Sequence, residues 1–232
     1  MSEGIYMTDA EYAALPGMRR SDLFRIAQSP AHFKYYKEHP QSETPSLIFG
    51  RALHERILIP ETWKNHYVVI PDFDRRTKSG REQYEAFIEH EVKGRTIITQ
   101  SDLDVMHEMS LALVQNKFAN DLLFSDDSFG HETVYTWTDN QTGEPCKIKV
   151  DSLTIYKGKP YIVDYKTTAS CEGNAFQRSV RKYGYKLQAG MYTEGVWYGE
   201  QDEFGFIFVA QEKTPPYAVR SEEHTSELQS RI

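Results

Sequence analysis

Lys147–Thr168 reads KIKVDSLTIYKGKPYIVDYKTT, and the fold class turns on it. Apolar residues alternate over Ile148–Ile155 and again over Pro160–Tyr165. The turn Tyr156-Lys157-Gly158-Lys159 separates the two runs. Alternation on both sides of a Gly-containing turn predicts a β-hairpin. Asp151 lies in the first run, and Asp164 and Lys166 close the second. Residues two apart on a strand share a face. Asp164 and Lys166 therefore point one way and Tyr165 the other. Pairing across the turn can bring Asp151 alongside, so two carboxylates and one ammonium converge at one end of the hairpin.

That grouping suits hydrolysis of a phosphodiester. Carboxylate oxygens are hard donors for Mg²⁺, for which Mn²⁺ can substitute. A bound ion acidifies water and neutralises charge growing on phosphorus. A lysine beside it can orient the water or help deprotonate it, and adds positive charge facing the transition state. The plain alternative is an exposed strand, where D-x-K is common. Asp151, and the apolar Ile162-Val163 before Asp164, weigh against it.

Outward from this stretch, 232 residues with 39% hydrophobic and 13% aromatic content describe a globular chain with one domain as the natural expectation. No apolar run is long enough to span a bilayer, and the acidic, polar start carries no secretory signal. Cys146 and Cys171 are too few for a disulfide framework. The chain reads as cytoplasmic. A net charge of −7 is awkward for a nucleic-acid protein, so local clusters matter. Arg75, Arg76, Lys78 and Arg81 form one, read either as a phosphate-guiding loop or as a solvated loop before a helix Glu82–Glu91. Arg178, Arg181, Lys182 and Lys186 form a second. Their spacing makes a basic stripe on a long helix from Asn174 to about Trp197, with a solvated face as the alternative.

Ser21 and Ser29-Pro30 predict helix starts. Ser46–Leu58 reads as a helix with Leu47, Gly50, His54, Ile57 and Leu58 on its inward face. Such a histidine is a core residue or a ligand. Ser101–Asn120 reads as one long helix, and Phe124–Phe129 as an acidic loop. His131–Trp137 is expected to be the first core strand, placing Glu132 where it can reach the acidic cluster or lie on the surface. Gln188 and Tyr192 share a helix face, with Tyr185 beside them. Glu203–Ala210 is a strongly apolar central strand.

Asp151 with Asp164-Tyr165-Lys166 resembles the D…(D/E)-x-K motif of the PD-(D/E)XK nuclease superfamily, with Val150 where the motif has proline. Gly50-Arg51-Ala52-Leu53-His54 resembles the G-x-x-x-H motif of its RecB-like branch. Gln188-Ala189-Gly190-Met191-Tyr192 resembles that branch's Q-x-x-x-Y motif. Ser29–Phe33, Phe49–His54, Asp164–Thr168 and Tyr183-Gly184-Tyr185 look closest to the RecE-type exonuclease (exodeoxyribonuclease VIII) domain of prophages. The likeness runs from about Ser21 to about Tyr217.

The resemblance implies an α/β fold of the restriction-endonuclease-like kind. A mixed central sheet of four or five strands is flanked by helices, after a helical N-terminal part over about 1–125. The catalytic core would span about 130–219. It implies an Mg²⁺-dependent exonuclease that degrades linear double-stranded DNA from 5′ ends and leaves 3′ single strands for recombination. Asp151, Asp164 and the Tyr165 carbonyl would hold the ion, His54 would complete its shell, and Glu132 is a further candidate. Lys166 would activate water, and Gln188 and Tyr192 would orient the scissile strand. A homo-oligomeric ring and a single-strand annealing protein are implied as partners. A RecB-like endonuclease and an inactive DNA-binding recombination module are the alternatives. The end, RSEEHTSELQS over 220–230, resembles a translated sequencing adapter. Residues 220–232 are therefore expected to be a non-native tail, with the domain's last strand and helix missing.

Overall fold

The computed structural model describes residues 4–39 and 42–224. The chain falls into two compact units, Met1–Ser42 with Leu113–Ile232, and Glu43–Ala112. The helical part expected over about 1–125 is thus divided between them.

The first unit opens with β1 (Ile5–Tyr6), α1 (Asp9–Ala14), α2 (Arg20–Gln28) and α3 (Pro30–Glu38). Ser29 caps α3 by accepting the His32 N–H at 3.2 Å, with Pro30 in the first turn as expected. The start of α2 differs from the reading at Ser21. Its entry is fixed by buried Asp22, whose carboxylate accepts the Arg19 N–H at 3.1 Å and lies 3.4 Å from Lys37 Nζ.

The second unit holds α4 (Pro45–Leu58), α5 (Trp63–His66), β2 (Tyr67–Ile70), α6 (Lys78–Phe87), β3 (Thr96–Thr99) and most of α7 (Gln100–Gln115). β2 and β3 pair in parallel. Thr44 caps α4, which buries Ala52, Leu53, Ile57 and Leu58. Leu47 is exposed, so the inward face drawn through it fails in the first turn. α6 starts four residues before the expected Glu82, because the Thr77 hydroxyl accepts the Gly80 N–H at 3.0 Å. The single helix expected over Ser101–Asn120 is two. Asn116 leaves the helix and accepts the Ala119 N–H at 3.0 Å, starting α8 (Lys117–Leu123) in the first unit.

The remainder of the first unit is β4 (Ser128–Phe129), β5 (Thr133–Thr138), β6 (Pro145–Val150), β7 (Ser152–Tyr156), β8 (Lys159–Thr168), α9 (Gly173–Lys182), α10 (Tyr185–Glu200), β9 (Gly205–Glu212) and β10 (Val219–His224). A mixed five-stranded sheet runs β10-β9-β8-β7-β4, and an antiparallel one runs β1-β5-β6. The predicted hairpin is β7–β8. Lys157 and Gly158 both have positive φ, the geometry a two-residue type I′ turn needs. β8 and β9 are parallel, and α9 and α10 make the crossover that parallel strands require. β9 lies between two partners and buries Phe206–Gln211 in succession, as a doubly covered strand does. The fold is the α/β class with a mixed sheet flanked by helices. Residues 220–224 of the expected tail pair with β9, and residues 225–232 lie outside the described residues. Among the described residues no helix is long and apolar enough to cross a membrane.

Both cysteines are buried and unbridged. The Cys171 thiol donates to the Ala210 and Ala218 carbonyls, each at 3.3 Å. Burial, with Glu212 nearby, pushes its pKa up to about 11. Iodoacetamide at pH 8 is therefore expected to spare Cys171 in the folded chain and to modify it fully in urea, read by mass spectrometry. Equal labelling in both states would contradict this packing.

Candidate active site

One run of sequence, Ile148–Ile155, is split between two sheets, and Asp151 is the residue at the split. β6 pairs with β5 as far as Val150↔Thr133, and β7 pairs with β8 from Ser152↔Val163 onward. The single strand expected across Asp151 is thus two strands joined by a bend. The bend aims the carboxylate at β8, where Asp151 Oδ2 accepts the Tyr165 N–H at 2.8 Å. The Asp151 carbonyl accepts the Glu132 N–H at 3.1 Å, which brings Glu132 to the same point from the foot of β5.

Asp164 sits on β8 between Val163 and Tyr165, level with Phe208 of β9, and is 1% exposed. Lys166 Nζ lies 2.6 Å from Asp164 Oδ2. The strand period places the two side chains on one face, as the sequence predicts. Tyr165 points the other way and its hydroxyl donates to Gln211 Oε1 at 2.6 Å. Gln188, on α10 and 2% exposed, donates Nε2 to Asp164 Oδ1 at 2.5 Å. A carboxylate only accepts, so the amide nitrogen must face it. Gln188 Oε1 is left buried with no hydrogen-bond partner among the described residues. One turn on, Tyr192 packs its ring edge-on to Phe206. Its hydroxyl is raised well above the usual tyrosine range, by burial and then by Asp164.

The charges around Asp151 are closely coupled. Burial raises the Asp151 carboxyl above its ordinary range, against the pull of Lys166, the Tyr165 N–H and Lys149. Burial also disfavours charge on Lys166, but Asp164 and Asp151 outweigh it and hold the ammonium above the usual lysine range. Glu132 is buried, has a left-handed backbone at φ 52° and forms an ion pair with Lys149. Carboxylate oxygens of Glu132 and Asp151 lie within 4.8 Å of each other.

These residues fit a divalent ion. The donors are hard oxygens on adjacent backbone segments, and one buried amide oxygen awaits a donor such as an ion's water. Sequence reasoning missed Lys149 and its second partner, Asp9, whose carboxylate is 2.6 Å away. Lys149 alternates outward from apolar Ile148 and Val150, so it read as ordinary surface. Only the fold brings Asp9 to it, from 140 positions earlier.

His54 lies half-buried on α4, in the second unit. Arg76 is held by Asp74 at 2.9 Å, Lys78 lies 3.8 Å from Glu82, and Arg75 covers the Tyr84 ring at 5.0 Å. That cluster is largely matched by its own neighbours. The second cluster is exposed, but it is not one stripe. The helix breaks at Tyr183-Gly184, leaving Arg178, Arg181 and Lys182 on α9 and Lys186 on α10. Gly184 has φ +65°, and a Cβ there would stand 2.6 Å from the Phe24 ring, so the break needs glycine.

A crystal structure of a protein from Eubacterium rectale, provisionally named an exonuclease, shares this fold. The match covers 98% of this chain and 81% of that one, at 14% identity and a TM-score of 0.59. The crystal structure of SSO0001 aligns over 92% of this chain and 71% of that one, at 16% identity and a TM-score of 0.43. Among curated proteins none matches the sequence. The family model of a PDDEXK-like domain of unknown function (DUF3799) matches residues 20–229, nearly the whole chain. The chain belongs to that PDDEXK-like family.

Proposed function

We propose that the chain is a metal-dependent DNA nuclease whose chemistry rests on Asp151, Asp164 and Lys166. Membership of a PDDEXK-like family supports a nuclease, and nucleases of that kind generally use divalent metals. The observation that carries the reading is the convergence on β8. The Asp164 carboxylate and Lys166 ammonium lie 2.6 Å apart, with Asp151 hydrogen-bonded to the residue between them.

Asp151 and Asp164 would hold the ion, with the Tyr165 carbonyl and Glu132 as further ligands and Mg²⁺ as the ion that hard oxygens favour. A bound divalent ion supplies an acidified water and neutralises charge at phosphorus. Lys166 donates N–H toward the attacking water and the scissile phosphate. Gln188 keeps Asp164 oriented, and Tyr192 lines the face along which the strand lies. Exposed Arg178, Arg181, Lys182 and Lys186 attract the DNA backbone, and Arg75, Arg76 and Lys78 add to this more weakly because neighbours compensate them.

Within that class we favour a RecE-like exonuclease that digests linear duplex 5′ to 3′ and leaves 3′ single strands for phage-type recombination. A homo-oligomeric ring and a single-strand annealing protein would complete the assembly. The order of four sequence motifs supports this, from His54 through Asp151 and Lys166 to Tyr192. The test is digestion of linear against covalently closed circular duplex with Mg²⁺ and with chelator. The proposal expects nucleotide release from linear DNA alone, ended by chelation. Cleavage of both forms would point to a RecB-like endonuclease, and binding without hydrolysis to an inactive module.

A further inference from the structure

The break between α9 and α10 leaves Tyr183 with 46% of its surface exposed. It is a large aromatic held rigidly, because its carbonyl accepts from Arg20 Nη1 at 3.1 Å and the next residue is the constrained Gly184. Its ring stacks on buried Tyr185, centroids 6.0 Å apart and planes 28° apart. Tyr185 in turn stacks on Phe208 at 5.1 Å and carries Lys166 Nζ 5.9 Å from its ring centre. Tyr183 is therefore one ring away from the ring beneath Lys166. Lys182 Nζ lies 5.2 Å from the Tyr183 ring, and Arg181 and Lys186 are exposed on either side in sequence.

An exposed ring among cations, at the edge of a site that handles phosphate, has the chemistry of a base-stacking platform. Cations follow the backbone of a nucleic-acid strand, and a rigid aromatic accepts any base by its π-face. We propose that Tyr183 stacks on an unpaired base of the DNA strand next to the scissile phosphate and so sets that strand's position against Lys166. This rests on the nuclease reading and adds a positioning residue that contacts the substrate's base. Arg20, which fixes the Tyr183 carbonyl, supports the platform from α2.

The experiment measures binding by fluorescence anisotropy with Ca²⁺ in place of Mg²⁺. The probes are a labelled duplex with a single-stranded overhang and the same duplex made abasic throughout that overhang. The wild-type chain is expected to bind the intact overhang about five- to a hundredfold more tightly, the range of one base–aromatic stack. Tyr183→Ala should remove that difference while leaving affinity for the abasic probe unchanged, and Tyr183→Phe should keep it. An equal loss on both probes would make Tyr183 merely structural, and no loss on either would make it irrelevant, so each overturns the inference alone. Failure of the wild-type chain to bind either probe would overturn the nuclease reading and this inference with it.

Discussion

Replacing Asp164 by asparagine is expected to lower DNA hydrolysis by about 10²–10³-fold or more, the scale of losing one charged group that stabilises a transition state. The substitution keeps the shape of the side chain and removes its charge. Two neighbouring groups then lose a charged partner. Lys166 loses the carboxylate 2.6 Å away, and Gln188 loses a charged acceptor at 2.5 Å. Removing one half of a buried ion pair costs about 3–5 kcal/mol. Here the loss should be smaller, because Lys166 is 19% exposed and Asp151 still faces it. Activity should therefore fall far more than stability. Lys166→Met makes the complementary test, since it removes the positive charge and leaves both carboxylates. Both variants should still bind linear duplex with Ca²⁺ and keep the wild-type circular dichroism spectrum. Wild-type rates in either variant would remove Asp164 and Lys166 from the chemistry and leave them as a structural ion pair.

The local rules of sequence were enough wherever a single segment decides the outcome. The hairpin turn, the shared face of Asp164 and Lys166, and the cap at Ser29 all follow from residues within a few positions of each other. Events that join distant segments were not legible. Apolar residues fall at Ile148 and Val150 and then at Leu153 and Ile155, so the alternation shifts phase across Asp151-Ser152, where the chain passes from β6 to β7. Reading Ile148–Ile155 as one strand passed over that shift, and only the pairing shows that it marks a change of sheets. The helix breaks at Asn116 and Gly184 were missed for a different reason. Apolar spacing continues through both, and only the capping side chain or the positive φ ends the helix. Of the candidate site, the grouping of Asp151, Asp164 and Lys166 was legible. The ion pairs that surround it, from Asp9 through Lys149 to Glu132, depend on an N-terminal segment pairing β1 onto β5.

Gly195→Leu should destabilise the chain by about 3 kcal/mol, the upper part of the range for overpacking a core. For a chain of this size that is a fall in Tm of roughly 6–12 °C. Gly195 sits where α10 presses on the β5–β6 pair. A Cβ at this position would stand 2.6 Å from Ile148 Cδ1 and 2.6 Å from Trp137 Cζ3. Both neighbours are buried, so they have little room to turn away. Even alanine demands a shift there, although its helix propensity exceeds glycine's by about 1 kcal/mol and offsets part of the strain. Leucine adds three further carbons and must push the helix off the sheet. Gln188 lies two turns earlier on the same helix and Tyr192 less than one, so that displacement would carry both away from Asp164 and β9. The damage should therefore show in hydrolysis even below the melting transition. Gly190→Ala is the internal control, because that glycine is exposed and nothing lies within 4 Å of its would-be Cβ. It should raise stability by about 0.5–1 kcal/mol through the gain in helix propensity alone. Should Gly195→Leu melt no lower than wild type, α10 does not rest on Trp137 and Ile148, and the seat that holds Gln188 against Asp164 would need another origin.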